Sequence, residues 1–142
     1  MIITFCGHSD FSEQVGMRKQ ALEIIESVSM GEAVDFYLGQ YGNFDSFGFG
    51  VAKEYKATHS DSKLIFVTPY LAKSYLSTRT NGYDEVIYPI EDNVPPRFAI
   101  SYRNKWIVEK SDIVIAYVKR SSGGAYQTLK YAEKHNKKIF RL

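Results

Sequence analysis

The sequence predicts an α/β fold, a Rossmann-like three-layer sandwich with a mostly parallel central sheet. Three observations lead to this prediction. Short β-branched, apolar runs alternate along the chain with longer segments of helical periodicity. Small-residue turns follow several of these runs where a helix should begin. The chain has 142 residues, a length that suits one substantial core, so we expect a single domain over residues 1–142.

The first half of the chain predicts three strands and two helices. We expect the strands at residues 1–6, 33–39 and 63–69, where apolar and β-branched residues concentrate. The first helix should span about residues 11–30, with Asp10 and Glu13 as a capping pair. The second helix should begin near Asp45, which is a suitable N-cap residue.

The second half predicts three more strands, at residues 84–89, 112–118 and 137–142. A helix should span residues 97–110, and another should follow the turn formed by Ser121, Ser122, Gly123 and Gly124. Residues 70–83 are polar and irregular, with a short helix near residues 71–76. They form either a plain surface excursion or a cover over the site, with Arg79 as the residue to test for phosphate contact.

Glycine-bearing turns follow the first, second and fifth predicted strands. Right-handed crossovers bring these turns to one edge of a parallel sheet, where ligands of such folds lie. Unpaired N–H groups and the positive end of a helix dipole favour a phosphate there, although each glycine is also explained by a tight turn alone. The candidate ligand-binding residues of these turns are Gly7, His8, Ser9, Gly39, Tyr41, Gly42, Asp45, Ser122, Gly123 and Gly124.

Two side chains in these turns have more than one interpretation. His8 is a ligand contact, a proton donor or a turn residue, because it follows the first strand directly. Tyr41 precedes the second helix, and its ring is the best placed of the nearby aromatics to face a flat ligand.

Arg103 and Asn104 lie on the apolar face of the helix predicted at residues 97–110. A buried arginine needs a partner, because burial of an unpaired charge is costly. One interpretation is an ion pair with an internal carboxylate such as Asp45 or Asp84. The other is a guanidinium fork that grips a ligand phosphate or orients a glycine loop.

Composition and missing motifs exclude several classes of protein. There is no G-x-G-x-x-G after the first strand and no G-x-x-x-x-G-K-[ST], which argues against a dehydrogenase or a P-loop ATPase. Three scattered histidines and one cysteine give no ligand spacing, so we predict no metal site. The net charge of +2 argues against a nucleic-acid partner. No apolar run reaches the length of a membrane span and no leader precedes the first strand, so we expect a cytoplasmic protein.

The aromatic content is high, with eleven Tyr, nine Phe and one Trp. Such residues either fill the core or support a homo-oligomer, and the sequence leaves both interpretations open.

Four segments together resemble the SLOG superfamily, which groups DprA-like proteins, the LOG phosphoribohydrolases and small proteins related to YpsA. The segments are FCGHSD, the glycine-rich turn after the second strand, SYRNKWIVEKSDIVIAYV and SSGGAYQTLKYAEKHNKKI. Residues 103–139 are most similar to the YpsA-like branch. The resemblance implies a Rossmann-like fold, a nucleotide or nucleotide-derived ligand and no required cofactor. It also implies a pocket lined by Gly7, His8, Ser9, Gly42, Arg103, Asn104, Gly123 and Gly124.

The chain departs from the LOG motif P-G-G-x-G-T-x-x-E at the glutamate that takes part in cleavage of the N-glycosidic bond. Lys130 or Tyr131 takes its place, and Glu133 falls one helical step too late. This favours a binding module that senses or sequesters a nucleotide over a phosphoribohydrolase-type enzyme, whose acid would come from Asp10, Asp45 or Glu133. No catalytic residue is assigned. A DNA-associated scaffold is the third hypothesis, and the low net charge counts against it.

Overall fold

The computed structural model describes all 142 residues and contains one six-stranded sheet. The strands are β1 (Ile2–Gly7), β2 (Asp35–Leu38), β3 (Lys63–Val67), β4 (Glu85–Ile87), β5 (Ile113–Tyr117) and β6 (Lys138–Arg141). Their order is β4-β3-β2-β1-β5-β6, and every pairing is parallel. The predicted Rossmann-like α/β class is therefore confirmed, with a sheet that is parallel throughout.

Five helices cover the sheet, and they are α1 (Met17–Ser29), α2 (Asn43–Thr58), α3 (Lys73–Leu76), α4 (Ala99–Lys110) and α5 (Gly124–Lys134). Successive side chains of β1 point to opposite faces of the sheet and so enter the core on both sides of it. Ile3 and Phe5 enter the large apolar cluster that includes the buried residues of α1 and α2, whereas Cys6 joins the cluster of α4 and α5. None of the five helices combines the length and the apolar character that crossing a membrane requires.

The order of the strands places a crevice at one edge of the sheet. β1 lies at the centre, with β2 on one side and β5 on the other, and Gly7 at the end of β1 is in register with Tyr117 at the end of β5. The connections leaving these two strands diverge to opposite faces of the sheet. A parallel sheet binds ligands at such a switch point, beyond the carboxyl ends of its strands.

The first helix begins six residues later than the sequence predicts, at Met17 instead of Phe11. Phe11 turns into the core, where its ring lies 4.9 Å from that of Phe44 and 5.2 Å from that of Phe47. The predicted cap by Asp10 is wrong, because no side chain caps α1 and the helix starts after a glycine in the left-handed region. Packing of an apolar side chain thus overrides a local capping signal.

The starts of α2 and α4 also differ from prediction. α2 begins at Asn43, so Asp45 lies in its first turn and is not the N-cap, a position taken by Gly42. A 3₁₀ turn at Pro96–Phe98 precedes α4, which therefore begins at Ala99 and not at residue 97. Five strands are two or three residues shorter than predicted, whereas β1 has the predicted length but begins one residue later.

Candidate functional site

A cleft of about 260 Å³ lies beyond the carboxyl ends of β1 and β5. Nine of the twelve residues predicted to bind a ligand line it, and they are Gly7, His8, Ser9, Tyr41, Asp45, Asn104, Ser122, Gly123 and Gly124. The other three, Gly39, Gly42 and Arg103, do not line it. The topology thus brings together turns from three distant parts of the chain at the switch point of the sheet.

The turn before α5 has unpaired backbone N–H groups. Gly123, with a φ of 93°, directly precedes the helix, and no side chain caps it. The Gln127 N–H donates to the Gly123 carbonyl, so the N–H groups of Gly124, Ala125 and Tyr126 have no backbone acceptor. A Cβ at Gly123 or Gly124 would meet nothing within 4 Å. Together with the positive end of the helix dipole, these donors form an open site for an anion.

The glycines of the other two turns permit close packing within the protein. A Cβ at Gly7 would lie 2.4 Å from the Phe44 ring, and one at Gly42 would lie 2.4 Å from the Cα of Ser9. The Asn43 N–H at the start of α2 donates to the Ser9 carbonyl at 2.9 Å. The turn after β2 therefore docks on the turn after β1. Of these three turns, only the one before α5 has glycines that face open space.

Arg103 is buried beneath the cleft, with 2% of its surface exposed. Its Nη1 donates to the Val67 carbonyl at 2.7 Å, and its Nε donates to Asn104 Oδ1 at 2.9 Å. Of the two carboxylates predicted to pair with it, Asp84 pairs with Lys56 at 2.6 Å instead. Arg103 forms no ion pair with Asp45 either, and its guanidinium, which donates to the carbonyl at the end of β3, does not line the cleft.

Arg103 nevertheless acts on the cleft through Asn104. An arginine N–H can only donate, so this contact holds Oδ1 of Asn104 toward Arg103 and leaves Nδ2 as a free donor. Gly39 leaves room for the guanidinium, since a Cβ there would lie 3.2 Å from its Cζ and both terminal nitrogens. Gly39 and Arg103 thus support a residue that lines the cleft.

Asp45 is the only carboxylate among the residues that line the cleft. Its Oδ2 accepts the N–H of Tyr41 at 2.7 Å. Burial raises the pKa of the Asp45 carboxyl above its ordinary value, while the Tyr41 N–H and the nearby charge of Arg103 oppose that rise. Asp45 therefore gives the cleft one acidic group, whose Oδ2 already accepts a backbone N–H.

His8 joins the turns after β1 and β5. Its Nε2 accepts the backbone N–H of Lys119 at 2.8 Å, which fixes an unprotonated Nε2 because a backbone N–H can only donate. Burial and the nearby charge of Arg120 lower the pKa of His8, although Asp10 opposes that change. The imidazole is therefore neutral near pH 7 and positions the chain around it. Of its three predicted roles, this geometry corresponds to the turn residue.

Arg120 lines the cleft and escaped sequence analysis. Its Nη1 and Nη2 donate to the two carboxylate oxygens of Asp10, at 3.1 and 2.7 Å. The pair is exposed and joins the turn after β1 to the turn after β5 across the mouth of the cleft. Its position in the sequence could have indicated it, because a basic residue directly before a Ser-Ser-Gly-Gly turn is well placed to contact an anion at that turn.

Thr128 was also missed. It lies one helical turn after Gly124 and borders the cleft, while its hydroxyl donates to the Gly124 carbonyl at 3.0 Å. Helical spacing from the glycine turn predicts this position. Ile100 on α4 forms part of the facing wall.

No protein-family model and no curated protein sequence matches the chain. Among solved structures, DNA processing protein A (DprA) from Streptococcus pneumoniae matches 98% of this chain and 49% of its own, with a TM-score of 0.63 and 20% identity. The DprA of Helicobacter pylori matches 99% of this chain and 64% of its own, with a TM-score of 0.61 and 15% identity. The chain has the fold of the part of DprA that it matches. The chain thus spans about half to two-thirds of the DprA chains that it matches.

The likeness to DprA establishes the fold. It also corrects one prediction. The Helicobacter pylori DprA binds single-stranded DNA. The prediction that a nucleic-acid partner is unlikely was therefore wrong for a chain of this fold. Net charge sums the whole surface, whereas a nucleic acid contacts only one part of it.

Proposed function

We propose that this protein binds single-stranded nucleic acid, with one backbone phosphate seated on the N–H groups of Gly124, Ala125 and Tyr126. The observation that carries the proposal is that these three donors have no backbone acceptor and that Gly124 faces open space. Hydrogen bonds from backbone N–H groups to an anion are stronger than those between neutral groups. A helix N-terminus with free donors is a general solution for holding a phosphate.

Arg120 supplies the positive charge beside this turn. It is held by Asp10 when no ligand is present, but both side chains are more than half exposed, at 54% and 68%. An exposed ion pair contributes little to stability, so exchange of the carboxylate for a phosphate costs little. The single-stranded DNA binding of a DprA that shares this fold adds support. We also propose that the protein is cytoplasmic.

The proposal is tested by fluorescence anisotropy with labelled oligothymidylate at several salt concentrations. We expect binding that weakens as salt rises, with a slope of about −0.7 in log K against log salt for each phosphate contacted. An unlabelled duplex of equal length serves as the competitor control, and we expect it to displace the probe poorly. Absence of binding at about 50 mM salt would overturn the proposal, because phosphate contacts are strongest at low salt.

A free nucleotide is the second candidate ligand. Asp45 and the Nδ2 group of Asn104 favour it, because they offer an acceptor and a donor to a base or a sugar. If the nucleotide is hydrolysed, as the alternative enzyme hypothesis requires, Asp45 is the acid to test. Asp10 is held at the mouth of the cleft, and Glu133 pairs with Lys130 at 3.2 Å outside it. The resemblance of residues 103–139 to the YpsA-like branch is part of this second proposal.

Native mass spectrometry and thermal shift against a panel of nucleotides separate the two candidates. A nucleotide that stabilises the protein and is returned unchanged supports a binding module. Release of free base or ribose phosphate supports the hydrolase. If oligothymidylate binds and no nucleotide in the panel does, the second candidate fails. Light scattering on the same samples tests self-association.

A further inference from the structure

A second groove of about 470 Å³ lies between α4 and α5 and continues the cleft. The two share Ile100, Asn104, Gly124 and Thr128. The groove is otherwise lined by Ser101, Lys105, Gln127, Lys130, Tyr131 and Lys134. Since Gly124 belongs to both, a chain-like ligand that reaches the anion site can pass directly into the groove.

The groove is basic. Three of the ten residues that line it are lysines and none is acidic. Lys105 lies on the α4 wall, whereas Lys130 and Lys134 lie on the α5 wall. Lys130 pairs with Glu133 at 3.2 Å, but this pair is exposed and gives way easily to a stronger anion. A polyanion therefore meets positive charge from both walls.

The spacing of these lysines suits a phosphate backbone. Lys130 and Lys134 are four residues apart on one helix, a separation of about 6 Å along its axis. Phosphates of a stacked strand repeat about every 3.4 Å, so one or two nucleotides span the two lysines. The groove can thus follow successive phosphates of a single strand.

The aromatic ring in the groove is already engaged by protein groups. Tyr131 stacks on His135 with ring centroids 4.1 Å apart, and Lys105 Nζ lies 5.5 Å from the Tyr131 ring centroid. The Tyr131 hydroxyl donates to the carboxylate of Glu109. Because the Tyr131 ring already contacts His135 and Lys105, contacts to phosphate should dominate, and the groove should bind without sequence preference.

We infer that the groove between α4 and α5 is the track along which a single strand continues after its phosphate has been seated at Gly124. This inference rests on the proposed function and extends it. The cleft then holds one nucleotide, and the lysines of the groove hold the phosphates that follow it. Affinity should therefore grow with the length of the strand until the groove is filled.

The test compares Lys130→Gln/Lys134→Gln with the matched control Lys19→Gln/Lys53→Gln, in which the same charge is removed from exposed positions of α1 and α2 on the opposite face. Anisotropy is measured with a labelled dinucleotide and a labelled decanucleotide of thymidine. For the decanucleotide, loss of two contacts should reduce the salt slope by about 1.4, so the affinity ratio between about 50 and 200 mM salt falls about sevenfold. The dinucleotide and the control variant should behave as the wild type does.

The outcomes distinguish the inference from the proposed function. If the wild type binds both oligonucleotides but the groove variant keeps the full slope, the strand leaves the cleft by another route and the inference fails alone. If the control variant loses as much as the groove variant, attraction is diffuse and no track exists. If the wild type binds neither oligonucleotide, the proposed function and the inference both fail.

Discussion

Gly124→Asp tests the anion site most directly, because it changes the ligand site with little effect on the fold. A Cβ at Gly124 meets nothing within 4 Å, and the residue lies outside the left-handed region. Replacement of a helical glycine should add some stability, and a carboxylate in the first turn of α5 is favoured by the helix dipole at about 0.3–1 kcal/mol. The variant should therefore fold and melt at or above the temperature of the wild type.

Binding should be lost for the same electrostatic reason. The new carboxylate lies among the N–H groups of Gly124, Ala125 and Tyr126, where it competes with phosphate as an internal anion. Loss of one or two charge-assisted hydrogen bonds, at about 1.5–3 kcal/mol each, together with repulsion of the phosphate gives at least about 3 kcal/mol. This corresponds to roughly a hundredfold weaker binding or more.

Anisotropy with labelled oligothymidylate measures the loss, and circular dichroism with thermal melting confirms the fold. Gly124→Ala is the matched control, since it adds the Cβ without the charge and should keep affinity within a few-fold. Gly123→Asp is the contrasting variant, because residue 123 has a φ of 93° and a side chain there strains the backbone. Wild-type affinity in a folded Gly124→Asp variant would refute the assignment of this turn as the phosphate site.

Three further changes test the surroundings of the cleft. Asp10→Asn should leave the melting temperature almost unchanged and tighten oligonucleotide binding a few-fold, because it releases Arg120; unchanged or weaker binding would show that Arg120 does not contact phosphate. The pKa of His8 is lower in the folded protein than in the unfolded chain, so the unfolded chain binds a proton at this residue at a higher pH. His8 therefore lowers the stability of the fold as pH falls below about 6.5. Urea midpoints at pH 7.5 and 5.5 should differ less in His8→Gln than in the wild type. Gly39→Ala should cost about 1–3 kcal/mol in the free energy of unfolding, because its Cβ crowds the buried guanidinium of Arg103; a urea titration that shows no loss would contradict this packing.

Most of the fold could be predicted from the alternation of strands and helices, because apolar periodicity is a local property of the sequence. The start of α1 was missed for a reason that is not local. Asp10 has the chemistry of an N-cap, but its carboxylate binds Arg120 from a distant turn. Phe11 has the periodicity of a helix, but its ring packs on Phe44. Contacts across the fold determine both outcomes, and no window of sequence around residues 10–16 contains them.

The glycines show the same limit within the site. Gly7, Gly42 and Gly124 all follow strands and all have the composition of a phosphate turn. Their difference lies in what a side chain would meet, which is Phe44 for Gly7, Ser9 for Gly42 and open space for Gly124. The residues that fill the first two spaces come from other turns of the chain. Sequence therefore identifies the edge of the sheet that carries the site, but not which turn remains free for a ligand.

Buried polar side chains fix the positions of residues that line the cleft, although the cleft is built largely from loops. His8 holds the Lys119 N–H at 2.8 Å, directly before Arg120, and Arg103 holds Asn104 from below. Both supports are buried, with 6% of the surface of His8 and 2% of that of Arg103 exposed. The donors before α5 are already aligned by the helix, so under the proposed function Arg120 exchanges Asp10 for phosphate at a turn that is already formed. At this turn only one exposed side chain of the protein, Arg120, has to be reordered, which limits the loss of conformational entropy when a phosphate is seated there.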